Sequence, residues 1–331
     1  MNYKPKIIRK FVFYLETILM EKNLTKGILF VALGATSYGM LATIVKLAYK
    51  EGFSTAEVTA SQFTFGITIL LLTYFFTKKQ TDEKATTKDI RNLMLAGTSM
   101  GFTSVLYYLC VKYINASIAV VMLMQSVWIG VLIEVLQTKK TPSITKIVSV
   151  LLVLLGTAFA TNILNSDIEL NTTGLIFGFL AACSFSMTLF TTNSVATHLK
   201  ATKRSLFMLL GGGIIVAIFG FITQIGPNNF DFMRGFISDS SQVRDFNFEI
   251  FYTWGIILSV FGTIIPPILL NKGFPNTGVG LGSIISSIEL PVSVLFAFVL
   301  LNEQVLLIQW IGITIILFAI VLMNYRLIVK K

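Results

Sequence analysis

The chain has few of the residues on which soluble enzymes and metal proteins depend. Its 331 residues include one histidine and two cysteines, and only 13% are charged. A single histidine excludes the paired-histidine motifs of catalytic zinc sites, and Cys110 and Cys183 imply no disulfide or metal framework. No pair of acidic residues lies at helical spacing within an apolar stretch. The sequence therefore predicts a protein that is not an enzyme and that uses no cofactor and no metal.

Long apolar runs dominate the chain instead. Hydrophobic residues make up 54% of it, and its mean hydropathy is +0.79. A helix of about 20 apolar residues crosses the roughly 30 Å hydrocarbon core of a bilayer. The sequence therefore predicts an all-α integral membrane protein with ten transmembrane helices. We place them at Gly27 to Tyr49, Glu57 to Thr77, Asn92 to Tyr113, Ser117 to Gln137, Ser143 to Asn162, Gly174 to Ala196, Ser205 to Gln224, Ile250 to Asn271, Thr277 to Leu301 and Val305 to Tyr325.

Basic residues set the predicted orientation, because cytoplasmic loops retain Lys and Arg. If the N-terminus is cytoplasmic, the residues among the 26 Lys and Arg that fall outside are only Lys46, Lys50, Lys112, Arg234 and Arg244. We therefore expect a multi-pass protein of a bacterial inner membrane with both termini in the cytoplasm. Topology and attraction to anionic membrane lipid account for the net charge of +10, so we expect no nucleic-acid partner.

Residues 1–25 precede the first predicted membrane helix. Their apolar run, Phe11 to Met20, is too short to span a membrane and contains Glu16. One interpretation is a cytoplasmic or interfacial N-terminal arm. The other is that Met20 is the true start and the preceding residues are not part of the native protein. The acid and the lack of a small-residue cleavage site argue against a signal peptide.

Internal similarity divides the chain into two halves. Gly27, Phe30, Leu33, Ala35 and Ser37 align without a gap on residues Gly174, Phe177, Leu180, Ala182 and Ser184, and residues 115–120 align on residues 276–281. We place five helices in residues 26–165 and five in residues 170–328. An odd number of helices makes the second half enter the membrane from the opposite side, which gives an inverted repeat.

Residues 286–303 (SSIELPVSVLFAFVLLNE) carry the strongest family resemblance. They are similar to a stretch in the EamA domains of the drug/metabolite transporter superfamily, where Glu-Pro precedes an apolar run that ends in Leu-Gly-Glu. This sequence departs from the pattern, because Leu290 separates Glu289 from Pro291, and predicted helix 4 has Trp128 where Glu289 aligns. The resemblance extends from Lys26 to Tyr325. It implies a permease with two EamA domains that transports metabolites, usually by export.

Glu289 is the first candidate site residue, because a carboxylate deep in a membrane is costly and should face a cavity or a partner. Small and polar residues share its helical face, at Gly278, Gly282, Ser286 and Ser293. One interpretation is that Glu289 binds a substrate amine or a proton. The other is that a protonated Glu289 bridges to a neighbouring helix, near a kink where Pro291 frees the carbonyl of residue 287.

Further candidates for a substrate site lie in five other predicted helices. Gln125 and Trp128 are three residues apart in helix 4 and so share a face. An amide beside an indole there would suit an apolar or aromatic substrate. Ser186 and Asn193 lie on one face of helix 6 and are each consistent with either packing or a cavity wall. The remaining candidates are Ser37 and Tyr38 in helix 1, Gln62 in helix 2 and Tyr108 in helix 3.

These features together predict a secondary-active transporter that works by alternating access. No Lys or Arg lies at the midplane to bind phosphate, so we expect a small neutral or zwitterionic metabolite, such as an exported amino acid, with protons as a candidate coupling ion. The alternatives are a multidrug-type efflux carrier for apolar compounds and, from another class, a channel or a receptor. The sequence leaves the oligomeric state open.

Three segments have expected mechanical roles. Residues 211–213, which are all glycine, and the Pro266–Pro267 pair should mark weak or broken helix where the halves bend. The long connection from Ile225 to Glu249 should lie outside and cover the outer mouth.

Overall fold

A computed structural model describes residues 4–76, 84–114, 116–161, 171–236, 244–301 and 305–329. Lys78 and Lys79, which contribute to the predicted orientation, lie outside these ranges, as do residues 237–243 of the connection expected to cover the outer mouth.

The described residues form ten helical segments in the predicted order. Four of them are interrupted or change their hydrogen-bond pattern within the span. The segments are α1 (Lys4–Lys50), α2 (Thr55–Phe76), α3 (Thr87–Tyr113), α4 (Ala116–Met124 and Ser126–Thr138), α5 (Ile144–Ala160), α6 (Thr172–Ser194), α7 (Ala201–Gly220, Phe221–Ile225 and Gly226–Asn229), α8 (Glu249–Thr253, Gly255–Ser259, Val260–Ile264 and Ile265–Thr277), α9 (Val279–Ser286 and Glu289–Leu301) and α10 (Leu307–Val329). A short 3₁₀ helix, Asp231–Phe236, follows α7.

Length and composition make these helices suitable for a membrane. Eight are long and apolar enough to cross it, and the shorter apolar helices Ile144–Ala160 and Leu307–Met323 complete the set of ten among the described residues. The prediction of an all-α membrane protein is confirmed. α1 is continuous from Lys4, so the described part of residues 1–25 is a helical extension of the first membrane helix.

The ten described helices run in alternating directions, which gives the molecule two faces. We call the face on which α10 ends the terminal face, and the opposite one the distal face. Short connections on the distal face join α1 to α2 and α3 to α4, and α7 ends there before α8 begins. Connections on the terminal face join α4 to α5, α6 to α7 and α8 to α9.

The two halves are interleaved in space. The first helix of each half packs against the third helix of the other, so that α1 contacts α8 and α3 contacts α6. Equivalent helices also pack against one another, in the pairs α2 with α7, α4 with α9 and α5 with α10. This exchange of equivalent contacts is the arrangement expected of an inverted repeat.

The two halves break their fourth helices at aligned positions. α4 is interrupted at Gln125, and α9 at residues 287 and 288. Pro291 accounts for the second break, because it has no N–H to donate to the carbonyl of Ser287. The Leu290 N–H donates to that carbonyl instead, at 3.2 Å, so the orphan carbonyl expected from the sequence is satisfied locally.

The three consecutive glycines do not break α7, contrary to expectation. Residues 211–213 lie inside the continuous helix Ala201–Gly220. A Cβ atom at Gly211 would clash with the Met94 carbonyl, and one at Gly97 with the Met208 carbonyl, so the glycines bring α3 and α7 into backbone contact. The helix loosens later, in the π-helical turn Phe221–Ile225.

The Pro266–Pro267 pair does disturb α8, as expected. A π-helical turn, Val260–Ile264, comes immediately before it. Proline at residue 266 cannot donate to the carbonyls four and five residues earlier, those of Gly262 and Phe261. The Ser37 hydroxyl of α1 donates to the Phe261 carbonyl at 3.0 Å and so replaces one missing donor.

Candidate functional site

A cavity lies between the two halves. Seven helices contribute to it: α1, α2, α3 and α4 from the first half, and α6, α8 and α9 from the second. The lining residues are Tyr38, Leu41, Gln62, Met100, Thr103, Ser104, Tyr107, Tyr108, Leu123, Phe185, Thr188, Gly262, Thr263 and Glu289. Its mostly apolar wall with a few polar groups is typical of small-molecule sites.

Four of the nine sequence-predicted site residues meet in this cavity, namely Tyr38, Gln62, Tyr108 and Glu289. The Tyr108 hydroxyl donates to Gln62 Oε1 at 3.1 Å, which fixes the orientation of the amide. Glu289 Oε2 is buried and has no hydrogen-bond partner among the residues that the structure describes. Buried polar atoms are nearly always paired, so an unpaired carboxylate oxygen at a cavity wall is suited to receive a ligand or to carry a proton.

The π-helical turn of α8, Val260–Ile264, contacts Gln62 of α2. The Thr263 hydroxyl donates to the Gln62 backbone carbonyl at 3.0 Å. Gly262 leaves room for the Gln62 side chain, because a Cβ atom there would overlap its amide. The π-helical turn of α8 therefore holds α2 and its amide in place at the cavity wall.

Five polar lining residues were not predicted from the sequence: Thr103, Ser104, Tyr107, Thr188 and Thr263. Hydroxyl residues are common in packed membrane helices, so each one alone is a weak signal. A helical stripe in α3 does mark part of this set. Met100, Thr103, Ser104, Tyr107 and Tyr108 follow the i, i+3, i+4, i+7, i+8 spacing of one face.

Gln125 and Trp128 do share a face, but the structure places them away from the cavity wall. The Trp128 indole donates to Gln125 Oε1 at 2.9 Å, and the Gln125 amide donates to the Val121 carbonyl at 3.0 Å. Trp128 packs against an apolar cluster formed by α4, α5, α9 and α10. Through these two hydrogen bonds, the Gln125 side chain connects Val121 before the break in α4 to Trp128 after it.

Ser37, Ser186 and Asn193 also lie outside the lining. Ser37 bonds to α8, as described above. The Ser186 hydroxyl donates to the carbonyl of Ala182 in its own helix, at 2.8 Å, and to the carbonyl of Ser126, at 3.3 Å, just after the break in α4. Asn193 is half-buried in the last turn of α6 near the terminal face.

Residues 97–101 (GTSMG) match the Gly-x-Ser-x-Gly pattern of hydrolase nucleophile elbows. Such an elbow requires a strand-to-helix turn that exposes the serine. Here the segment is the interior of α3. The Ser99 hydroxyl is buried, donates to the Ala96 carbonyl at 2.7 Å and lies 2.8 Å from the Thr188 hydroxyl. The pattern therefore reflects helix packing.

The chemistry of the cavity is that of a binding site with a single carboxylate. None of its described lining residues is Lys, Arg or His. Within the described part of the chain, no group of three or more His, Cys, Asp or Glu side chains is arranged to hold a metal ion.

A ten-helix bundle with inverted halves, two aligned helix breaks and a cavity between the halves defines a membrane transporter. The family model of the EamA-like transporter family matches residues 25–162 and 172–325, and the chain belongs to that family. Members of this family are transporters and not enzymes. The prediction of the family from residues 286–303 is therefore confirmed.

Solved structures agree with this fold. One crystal structure of a protein matches with a TM-score of 0.67 at 12% sequence identity, over 92% of this chain and 98% of the other. At that identity the match concerns the fold alone. No curated protein matches the sequence.

Proposed function

We propose that the protein is a secondary-active transporter that exports a small neutral or zwitterionic metabolite, such as an amino acid, by alternating access. The observation that carries this proposal is the cavity between the halves, where Glu289 Oε2 lacks a partner. The family supports transport in general, and the substrate class is inferred from the cavity wall.

The wall offers complementary groups for an amine-bearing compound. Glu289 suits a substrate ammonium group, because an ammonium supplies three donors to a carboxylate. The ring faces of Tyr38, Tyr107 and Tyr108 attract cations, and Phe185, Leu41 and Leu123 suit an apolar body. The hydroxyls of Thr103 and Ser104 donate to the carbonyls of Ser99 and Met100 in their own helix, at 2.8 and 3.2 Å, so their oxygens offer further acceptors to an ammonium group. A phosphorylated substrate lacks a cationic partner among these residues.

The two broken helices support alternating access around this cavity. Discontinuous helices at corresponding positions of inverted repeats mark the binding region of many secondary transporters. The break in α9 places Glu289 at the first turn of its second piece, with Leu290 and Pro291 next to it. Rotation of α9 about residues 287 and 288 would move the carboxylate directly.

Protons are the proposed coupling ion, since Glu289 can bind either a proton or a substrate amine. The termini are proposed to be cytoplasmic in a bacterial inner membrane, because Lys and Arg concentrate on the terminal face. Export then runs from the terminal face to the distal face.

Uptake of radiolabelled amino acids into proteoliposomes tests the proposal. We expect the wild type to show saturable flux for at least one compound and Glu289→Gln to lose flux at least about tenfold, since one hydrogen bond to a charged group is worth about 1.5–3 kcal/mol. Glu134→Gln is the matched control, because Glu134 is paired with Lys146 at 2.8 Å near the terminal face and is far from the lining. Equal flux for the wild type and Glu289→Gln, with both folded, would remove Glu289 from the site.

An imposed pH gradient tests the coupling separately. We expect an inward-acid gradient to change the rate of wild-type flux severalfold. Flux that ignores the gradient would contradict proton coupling and leave the carrier function standing. If no amino acid is transported by the wild type, the substrate class is wrong.

A further inference from the structure

A buried carboxylate on the distal face, Glu57, has no role in the cavity. It lies in the first turn of α2, and its residue is 0% exposed. The Ser54 backbone N–H donates to Oε2 at 2.7 Å, and the Ser54 hydroxyl accepts from the Glu57 N–H at 3.1 Å, which forms a reciprocal capping box. A capping box of this kind needs no further partner.

Glu57 nevertheless has three hydrogen-bond partners that are more than 160 residues away in the sequence. The Gln224 amide and the Asn247 backbone N–H each donate to Oε1 at 2.7 Å, and the Arg244 guanidinium donates to Oε2. Gln224 lies at the end of α7, while residues 244 and 247 immediately precede α8. The Ser54 hydroxyl also donates to Gln224 Oε1 at 2.7 Å. We call this set, Ser54, Glu57, Gln224, Arg244 and Asn247, the distal latch.

The distal latch joins segments that also fill the distal end of the cavity. One apolar cluster contains the lining residues Leu41 and Tyr108 together with Phe53, Val58 and Ile250. Phe53 and Val58 are direct neighbours of Ser54 and Glu57, and Ile250 is in the first turn of α8. A path from the cavity to the distal face requires the α1–α2 connection to part from the start of α8, and the distal latch holds these two together.

The inverted repeat provides a comparison on the terminal face. The contact equivalent to that between the α1–α2 connection and α8 is the one between the α6–α7 connection and the start of α3. There one tie is a contact of 3.5 Å between His198 Nε2 and Asp89 Oδ2, with side chains 45% and 18% exposed. An exposed pair contributes little, whereas a fully buried carboxylate that loses its charged partner is strongly destabilised.

We propose that the distal latch is the gate of the distal face, and that Glu57 must release Arg244 and Asn247 for the cavity to open there. The proposal rests on the proposed function, because opening at one face at a time is what alternating access requires. Accessibility can be measured without any substrate, so its outcome is independent of whether amino acids are transported.

The test is the rate at which a membrane-impermeant maleimide, added to the distal side, modifies a cavity cysteine. Thr103→Cys is the reporter, in a background with Cys110→Ala and Cys183→Ala. Glu249→Cys, which is exposed on the distal face, shows that the reagent reaches that face. We expect Glu57→Gln and Arg244→Gln to raise the labelling rate at residue 103 by about tenfold, which corresponds to about 1.4 kcal/mol in the opening equilibrium.

Asp89→Asn is the matched control, because it removes the negative charge from the equivalent tie on the terminal face, while its amide oxygen can still accept from the Thr86 N–H in the capping box of α3. We expect it to leave distal labelling unchanged. Arg244→Gln decides the matter if Glu57→Gln fails to fold, since the Arg244 side chain is 45% exposed and its loss leaves the capping box intact. Distal labelling at the parental rate in folded Arg244→Gln, or an equal increase in Asp89→Asn, would overturn the proposal.

Discussion

Single charged residues mark the interior of this molecule, and each has a different environment. Glu289 faces the cavity with one oxygen unpaired, whereas Glu57 is surrounded by donors. Arg204 is 1% exposed, and its guanidinium donates to the carbonyls of Thr192, Val195 and Asn271 at 2.5, 3.0 and 2.8 Å. The sequence alone assigns Arg204 to a basic cytoplasmic loop. Its three partners show that it instead caps the end of α6 and ties it to α8.

Arg204→Met should destabilise the protein more than the substitution of any Lys or Arg in a loop would. Three carbonyls would lose their donor, and the two buried ones, those of Thr192 and Asn271, would each cost about 1–3 kcal/mol if left unsatisfied. The measurement is thermal unfolding in detergent, followed by size-exclusion chromatography.

Lys203→Met is the matched control for that prediction. The Lys203 ammonium lies 5.8 Å from the Tyr74 ring centroid, an interaction worth about 0.5–1 kcal/mol at an exposed site. Unfolding temperatures that fall equally in the two variants would show that Arg204 is not a structural clamp.

The site residues show how far sequence reasoning reaches at this scale. Tyr38, Gln62, Tyr108 and Glu289, which line the cavity, were predicted because a polar side chain deep in a membrane is costly unless it faces a cavity or a partner. Gln125 and Trp128 satisfy the same criterion, yet they bond to each other outside the cavity wall. Which face of a helix points to a cavity depends on its rotation in the bundle. That rotation is set by contacts with helices distant in sequence, which one sequence does not display.

At the scale of the helices, the informative feature is the position at which a helix is interrupted. Pro291 signals the break in α9, but nothing in the sequence around Gln125 signals the break in α4. Alignment of the halves was the only available clue, because residue 125 falls one position before the equivalent of residue 287. The glycines at 211–213 misled the prediction, since glycine both weakens a helix and permits close packing. Only the neighbour, the Met94 carbonyl, decides between the two.

Gly39 of α1 is predicted to control the break in α9. A Cβ atom there would lie 2.5 Å from the Glu289 carbonyl oxygen and 2.9 Å from Val292 Cβ. Gly39→Val should therefore push α1 away from the break and lower flux at least about tenfold, while the folded yield falls less. Proteoliposome flux normalised to folded protein is the measurement.

Gly220→Val provides the comparison, because no atom outside its chain neighbours and the backbone of its own helix lies within 4 Å of a Cβ atom at Gly220. We expect nearly unchanged flux in this variant. If Gly39→Val transports as well as Gly220→Val does, the contact between α1 and the α9 break is not needed for transport.

At the scale of the whole molecule, hydropathy and basic residues predicted the number of helices and their order. A continuous run of about 20 apolar residues has few alternatives to a membrane span, so this level is strongly determined by sequence. The interleaving of the halves was not predicted. Because α1 packs on α8 and α3 on α6, the two sequence halves cannot rock as separate rigid bodies without breaking these contacts. We therefore expect the conformational change to occur by bending at the helix breaks and the π-helical turns.

Orientation in the membrane is a prediction at this scale. A reporter that is active only in the cytoplasm should be active when fused after residue 331, and inactive when inserted in the distal connection before residue 237. Activity at both positions, or the reverse pattern, would contradict cytoplasmic termini.

The central claim is that the cavity between the halves is the transport site, and substrate protection tests it most directly. In the cysteine-free background, Thr103→Cys lies in the lining and Thr141→Cys lies exposed between α4 and α5 on the terminal face. A transported compound should slow maleimide labelling of residue 103 with a concentration dependence that matches its KM, and should leave residue 141 unaffected. If the compound is transported with saturation and residue 103 is labelled at an unchanged rate, the cavity is not where substrate binds.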